Sequence, residues 1–260
     1  MRKFTRIMHQ LRRHYGEPAI PAARGPFELV IWENACYLLP DERRLEVFET
    51  LRERVGLTAA AIDAAPDGIL LPIAIRGGMR PEMRVFRWRQ IAQITLNRFG
   101  GNLDSILAGT YAEAKKALKQ FPTVGDPAAE KILLLCGVAN GLPLESNGLR
   151  VLTRIGWGRS QKSYGATYRS VQEDLRAELP VHVEKLREAH LLLRMHGKSL
   201  CKEKTPLCHQ CPVCAECAYI QKTAASFLKA GNQDPGPVDQ DRGSRQVFKI
   251  QHSKVAPLAV

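Results

Sequence analysis

LCKEKTPLCHQCPVCAECAY, residues 200–219, holds five of the chain's seven cysteines. The other two, Cys36 and Cys136, lie far away in apolar stretches. The spacing is Cys201-x6-Cys208-x2-Cys211-x5-Cys217, with Cys214 inside the last interval. The opening residues, MRKFTRIMHQLRRHYG, have neither the apolar core nor the cleavage site of a signal peptide. A reducing, cytoplasmic compartment is therefore expected, where disulfides do not persist. Clustered thiols there read as a metal site or a catalytic site. Four thiolates suit tetrahedral zinc or a four-iron cluster. Zinc ribbons pair two tight knuckles across a longer gap, and this stretch does not. One wide and one tight interval wrap a larger object than a single ion, which favours a cluster. Cys208, Cys211 and Cys214 form a rival C-x2-C-x2-C ligand set.

Outside this loop the chain is basic and helical. Its 260 residues suffice for one large domain or two small ones with a real core. Lys plus Arg outnumber Asp plus Glu by 38 to 26, a net charge of +12. That excess favours a polyanionic partner, nucleic acid before an anionic membrane. No stretch approaches the ~20 apolar residues of a membrane span. Apolar residues recur at helical spacing from residue 26 to residue 200, and no sustained alternation of period two appears. The pattern predicts an all-α fold of about ten helices. PFELVIWENACYLL (26–39) predicts one helix, and DERRLEVFETLRERVG (41–56) another with Asp41 as its N-cap. Beyond residue 222, Gly, Pro, Asp and Gln rise and periodicity fades, which predicts a flexible tail over 223–260.

The cysteine loop, lying just after a helix that ends in His196-Gly197-Lys198, resembles the iron–sulfur loop of endonuclease III and adenine DNA glycosylase. Both belong to the helix-hairpin-helix DNA glycosylase superfamily. The resemblance covers roughly residues 26–220. It implies a two-lobe all-α fold and a [4Fe–4S] cluster on Cys201, Cys208, Cys211 and Cys217, with Cys214 spare. It also implies that Lys202 and Lys204, between the first two ligands, meet DNA phosphates. The expected parts are an N-terminal basic helix (1–25) packed on the cluster lobe, a helical barrel lobe (26–140) and a cluster lobe (141–222).

The hairpin of that superfamily matches Phe121-Pro122-Thr123-Val124-Gly125. A tight turn entering a helix N-terminus points free backbone N–H groups outward, and these bind a phosphate. Gly125 would allow close approach or a positive φ. Thr123 stands where the family has glycine, and Asp126 would repel a phosphate. Pro122, Thr123, Val124, Gly125 and Lys131 are accordingly candidate DNA contacts.

Three positions carry the chemistry. The lyase lysine of bifunctional members corresponds to Pro127, which cannot form a Schiff base. Lys131, one turn on, is the residual amine, expected at solvent or a phosphate. The family's aspartate corresponds to Glu145 in Leu144-Glu145-Ser146-Asn147-Gly148-Leu149-Arg150-Val151. A carboxylate there stabilises oxocarbenium character or orients water. Glu145 would equally serve as an N-cap. Glu33 occupies the place of a glutamate in adenine and thymine-mismatch glycosylases. Flanked by Ile31, Trp32, Ala35 and Cys36, it is expected to have a raised pKa, as a general acid needs. Trp32 and Tyr37 are candidate base-pocket aromatics.

RGGMRPEMRVFRWRQI (76–91) is similar to the family's glycine-turn helix but richer in arginine. Arg76, Arg80, Arg84, Arg87 and Arg89 make a candidate DNA-facing patch, and Met79 a candidate wedge. The function expected is hydrolysis of the N-glycosidic bond of a flipped, damaged or mispaired base in double-stranded DNA, by a monofunctional, monomeric enzyme of the cytoplasm or bacterial nucleoid. The alternative is a non-catalytic protein recognising damage or DNA structure on the same scaffold.

Overall fold

The computed structural model describes residues 1–221, so the expected tail lies outside the described residues. Among these residues there is no strand. Eleven α-helices follow one another: α1 (Lys3–Tyr15), α2 (Gly25–Glu33), α3 (Asp41–Arg54), α4 (Ala59–Ala64), α5 (Asp67–Arg76), α6 (Pro81–Phe99), α7 (Tyr111–Leu118), α8 (Asp126–Leu135), α9 (Ser146–Ile155), α10 (Tyr164–Leu175) and α11 (Val183–Ser199). Their starts have local causes. Thr58, Thr110 and Ser163 each accept a bond from a first-turn amide, and Thr110 closes a capping box with Glu113.

Three expectations change. The helix at 26–39 stops at Glu33, because the chain turns at Asn34 and reaches a left-handed Leu38 (φ 55°). Asp41 is not an N-cap; Pro40 holds that place, and the Asp41 carboxylate is drawn away by cations of α11. Helix α5 is an element the periodicity did not reveal. Its Pro72 lacks an N–H, which weakens a helix interior. Burial of Leu70, Ile73 and Ala74 holds it in place.

Two apolar cores result. One gathers α2 to α8 around Ile31, Phe48, Trp88 and Ile91. The other gathers α1 and α9 to α11 around Phe4, Ile7, Leu152 and Leu192. Each such side chain contributes about 1.5–3 kcal/mol when fully buried. Helix α8 serves both, sending Ile132 and Leu133 into the first and Leu134 into the second. In the second core α11 crosses α9 closely. A Cβ on Gly197 would lie 2.6 Å from the Asn147 Cβ, so only glycine fits. Helix α1 packs on α11, with Phe4 edge-on to Trp157 and Arg6 paired with Glu216 at 2.7 Å.

The turn between α7 and α8 is strained at one residue. Thr123 is left-handed (φ 66°), a conformation costly for a β-branched side chain. Its Oγ1 donates to the Oδ1 of buried Asn34 at 3.0 Å. Asn34 in turn donates from Nδ2 to the Val30 carbonyl at 3.0 Å. The threonine thus keeps the turn that glycine would make, with one hydrogen bond offsetting the strain. Thr123→Gly should remove both terms, each about 1 kcal/mol, and leave stability within ~1 kcal/mol of the parent. Thr123→Val keeps the strain and loses the bond, at a cost of about 1–2 kcal/mol. Urea unfolding compares them, and equal losses in the two variants would contradict this account.

Candidate active site and DNA-facing surface

The candidate catalytic residues meet where the two cores adjoin. Glu33, at the end of α2, accepts a bond from Lys131 Nζ of α8 at 2.6 Å. Both side chains are less than a fifth exposed, at 17% and 18%. The Arg44 guanidinium stands 4.0 Å from the other Glu33 oxygen. Lys131 is therefore not the solvent-facing or phosphate-facing lysine expected from its position. The expected raised pKa of Glu33 is also reversed. Burial pushes its carboxyl up, but Lys131, Arg44 and Arg194 together outweigh burial and hold it below the usual carboxylate range. Glu33 is an ionised partner of a lysine, not a stored acid.

Glu145 caps α9. Its Oε1 accepts the Gly148 amide at 2.9 Å and its Oε2 accepts Asn147 Nδ2 at 2.7 Å. Asn147 Oδ1 accepts from Arg150, which also donates to the carbonyls of Gly197 and Cys201, at 2.8 and 2.9 Å. The carboxylate is thus fixed by the helix N-terminus and tied through two residues to the cysteine loop. Glu145 and Glu33 both act on the Arg194 charge, and Lys131 and Glu145 both act on His190. Both carboxylates are thus close enough to Arg194 of α11 to raise its pKa. His190 of that helix is 3% exposed, donates from Nδ1 to the Pro143 carbonyl at 2.8 Å, and is pushed down to about 4 by burial. Sequence reading missed His190, Arg194 and Asp41, since their partners lie some 50 to 150 residues away. Arg194 grips Asp41 bidentately at 2.6 Å, and Lys198 adds a third bond at 2.9 Å.

Trp32 and Tyr37 do not share a pocket wall. Trp32 lines a cleft with Asp41, Leu45, Leu191, Arg194 and Met195, edge-on to Phe48 at 5.2 Å. Tyr37 is 58% exposed, on the surface. Beside it Leu38 is 80% exposed, and the Tyr37 amide donates to the Gly77 carbonyl at 3.3 Å. Met79 is 64% exposed on the neighbouring loop. That loop is held from within by Arg84, which donates to the carbonyls of Ala74, Gly77, Gly78 and Met79 at 2.6–3.3 Å. Arg84 is 5% exposed and has no reach to a phosphate, contrary to expectation. Arg89 is also spent internally, on Asp67 and two carbonyls, and Arg76 pairs with Glu46. Arg80 remains exposed, left-handed at φ 58° before α6. Leu38 is a surface residue that sequence reading missed; its signal is an exposed leucine with positive φ.

At the hairpin tip, Gly125 is extended rather than left-handed (φ −89°), so the positive φ expected of it belongs to Thr123. A Cβ at Gly125 would meet nothing within 4 Å, which leaves room for close approach. Asp126 is answered by Lys119 at 3.1 Å and Lys115 at 3.2 Å, and Lys115 also pairs with Glu130, so the Asp126 charge at the tip is matched. Lys202 and Lys204 are exposed, while Arg154 holds the backbone beneath them through the carbonyls of Lys202 and Glu203.

All five loop cysteines line one hollow, with Val151, Ile155, Leu200, Leu207 and Val213 as its apolar wall. Among the described residues no three His, Cys, Asp or Glu side chains converge on a single-ion position. A cysteine-lined apolar hollow of this kind suits a four-iron cluster. Cys214, expected to be a bystander, lines the same hollow.

No protein-family model matches the chain. Curated relatives do, along most of their length. The thymine/uracil-DNA glycosylase of Pyrobaculum aerophilum is 27% identical over 85% of this chain and 93% of its own. The thymine-DNA glycosylase of Aeropyrum pernix is 28% identical over 80% and 89%. Endonuclease III of Sulfolobus acidocaldarius is 26% identical over 69% and 75%. The chain is similar to proteins of the helix-hairpin-helix DNA glycosylase superfamily. Its fold is that of solved members. A non-covalent endonuclease III–DNA complex superposes with TM-score 0.66, at 19% identity over 86% of this chain and 100% of the other. A thermostable thymine-DNA glycosylase gives 0.61, at 16% identity over 84% and 95%.

The glycosylase fold here is clamped at Asp41. Its two cationic partners hold its carboxyl well below the usual carboxylate range, hydrogen bonds from Arg194 first. The depressed folded pKa fixes the sign: the clamp contributes fully above the unfolded value of about 4 and fades as pH falls through the folded one. With Asp41 over a third exposed, screening leaves about 1 kcal/mol. Asp41→Asn should lower stability by that much at pH 7 and low salt, and parent and variant should converge in strong acid. A constant gap from pH 7 to pH 2 would contradict the assignment.

Proposed function

We propose that this protein is a DNA repair glycosylase that hydrolyses the N-glycosidic bond of a damaged or mispaired base, without strand-cleaving lyase activity. One observation supports this above the others: two carboxylates, Glu145 on the N-terminus of α9 and Glu33 on Lys131 of α8, both near enough to Arg194 of α11 to act on its charge. Glu145 faces the developing positive charge at the sugar and orients the attacking water. Its oxygens are positioned by Gly148 and Asn147, so little reorganisation accompanies charge development. Glu33 and Lys131 act as a polar pair on the pocket wall that recognises the edge of the flipped base, a role that replaces general acid for Glu33. Double-stranded DNA lies on the hairpin amides, Arg80 and the lysines of the cysteine loop. Leu38 and Met79 enter the stack where the base leaves.

The proposed [4Fe–4S] cluster, on Cys201, Cys208, Cys211 and Cys217, would stiffen the loop that carries Lys202 and Lys204. It supplies no step of the hydrolysis. The Asn147–Arg150 link then joins loop order to the placing of Glu145.

Lys131 bears on the lyase question. A Schiff base needs an amine free to reach the sugar, and Lys131 Nζ is engaged by the Glu33 carboxylate at 2.6 Å. Pro127 offers no alternative. Borohydride treatment on abasic-site DNA should trap little covalent adduct; an efficient adduct lost in Lys131→Ala would overturn the monofunctional reading.

Glu145→Gln keeps the cap acceptor and removes the charge. Against a panel of lesion-bearing duplexes, base release should fall by roughly 10²–10⁴-fold while duplex affinity stays within a few-fold. Unchanged release on a cleaved substrate would sink the assignment of Glu145. Binding without release by the parent on every duplex would favour the damage-recognition alternative.

A further inference from the structure

His196 is 1% exposed at the foot of α11, beside the cysteine hollow. Its Nε2 lies 3.5 Å from Cys211 Sγ, and its Nδ1 lies 2.9 Å from the Tyr15 hydroxyl. Tyr15 ends α1, 181 residues earlier in the chain, and its hydroxyl also lies 2.9 Å from Ser199 Oγ. The three groups form a line from the N-terminal helix to one cysteine sulfur.

The proton positions follow from what a cluster requires. A ligating cysteine is a thiolate and brings no proton. Its sulfur can only accept. The neutral imidazole has one N–H, and that N–H must then sit on Nε2. Nδ1 is left as acceptor, and the Tyr15 hydroxyl donates to it. Ser199 Oγ lies 2.9 Å from both the Tyr15 oxygen and the Met195 carbonyl; with the Tyr15 proton on Nδ1, the one Ser199 proton is shared between those two acceptors. No carboxylate is among the ring's partners, so nothing there favours an imidazolium.

We propose that His196 donates a hydrogen bond from Nε2 to the sulfur of Cys211, that Tyr15 fixes the tautomer that allows it, and that this bond raises the reduction potential of the cluster. The inference rests on the cluster assigned above. Reduction adds negative charge to a thiolate-ligated cluster, and a donor at a ligand sulfur stabilises that added charge. His196 is the direct donor. Tyr15 is a positioning residue that acts only through it, and this gives helix α1 an effect on the cluster beyond packing.

The test is the midpoint potential of the full-length protein, measured voltammetrically on a DNA-modified electrode with iron and sulfide content determined alongside. His196→Leu removes the donor, while His196→Gln can restore one from its amide. Tyr15→Phe removes the group that fixes the tautomer and leaves the ring in place. Leu and Phe variants with intact clusters should be harder to reduce, the redox equilibrium shifting by about threefold to tenfold, where tenfold is about 59 mV for one electron. The Gln variant should recover most of the parent potential. Equal potentials in the parent and Tyr15→Phe, at full cluster content, would overturn the proposal even if His196→Leu fails to fold. A colourless parent without iron would instead remove the cluster reading, and this inference with it.

Discussion

The seam between the two cores is built of ions, and much of the candidate site depends on how they are matched. Charges leave water only where partners meet them. Here Glu33 meets Lys131, and Asp41 meets Arg194 and Lys198. An apolar seam would bind the halves more simply but would offer nothing to a sugar cation or a base edge. Matching has a chemical consequence as well. With cations around it, Glu33 stays ionised despite burial, and it holds the Lys131 amine at 2.6 Å. One ion pair thus argues at once against an acid at residue 33 and against a nucleophile at residue 131.

Helix α8 shows why the hairpin and this seam are one construction. The same ten residues begin at the hairpin tip, carry Lys131 at mid-length and send neighbouring leucines into separate cores. A shift of the tip would move Lys131 against Glu33. The left-handed Thr123 fixes the tip, and its hydroxyl is bonded to Asn34, the residue after Glu33. The strain there is local, and so is its compensation. Substituting threonine for the expected glycine therefore preserves the turn while adding a link from hairpin to pocket.

Much of the fold could be read from the chain because it rests on local rules. Helical spacing, caps and the cysteine intervals are short-range signals. Helix α5 escaped because Pro72 interrupts the pattern and because only burial keeps it helical. The site was legible in residue type and less so in state. Glu33, Lys131 and Glu145 were nameable from motif positions, yet the ionisation of Glu33 depends on Lys131, Arg44 and Arg194, and the placing of Glu145 on Asn147. Arginine illustrates the limit most clearly. Arg80 and Arg84 lie one helical turn apart in a basic stretch, and sequence treats them alike. One is exposed, and the other lies inside the loop, bonded to four carbonyls. Carbonyl oxygens carry no sequence signature, so a structural guanidinium cannot be told from a phosphate-binding one by composition.

The cysteine loop is best understood through what surrounds it. Arg150 and Arg154 of α9 hold its backbone carbonyls, and His196 of α11 meets a sulfur. Helix α1 reaches the same place through Tyr15 and Arg6, the latter paired with Glu216 inside the cysteine run. Removing α1 would therefore take away a hydrogen-bond partner of His196 and one ion pair of the loop, as well as Phe4, Ile7 and Leu11 from the second core. The loop also feels the opposite end of the site, since Arg150 bonds both Cys201 and the asparagine that steadies Glu145. Order in the loop and order at the carboxylate are thus coupled by three hydrogen bonds in series. A cluster placed there would influence hydrolysis by fixing geometry, with no need to take part in it.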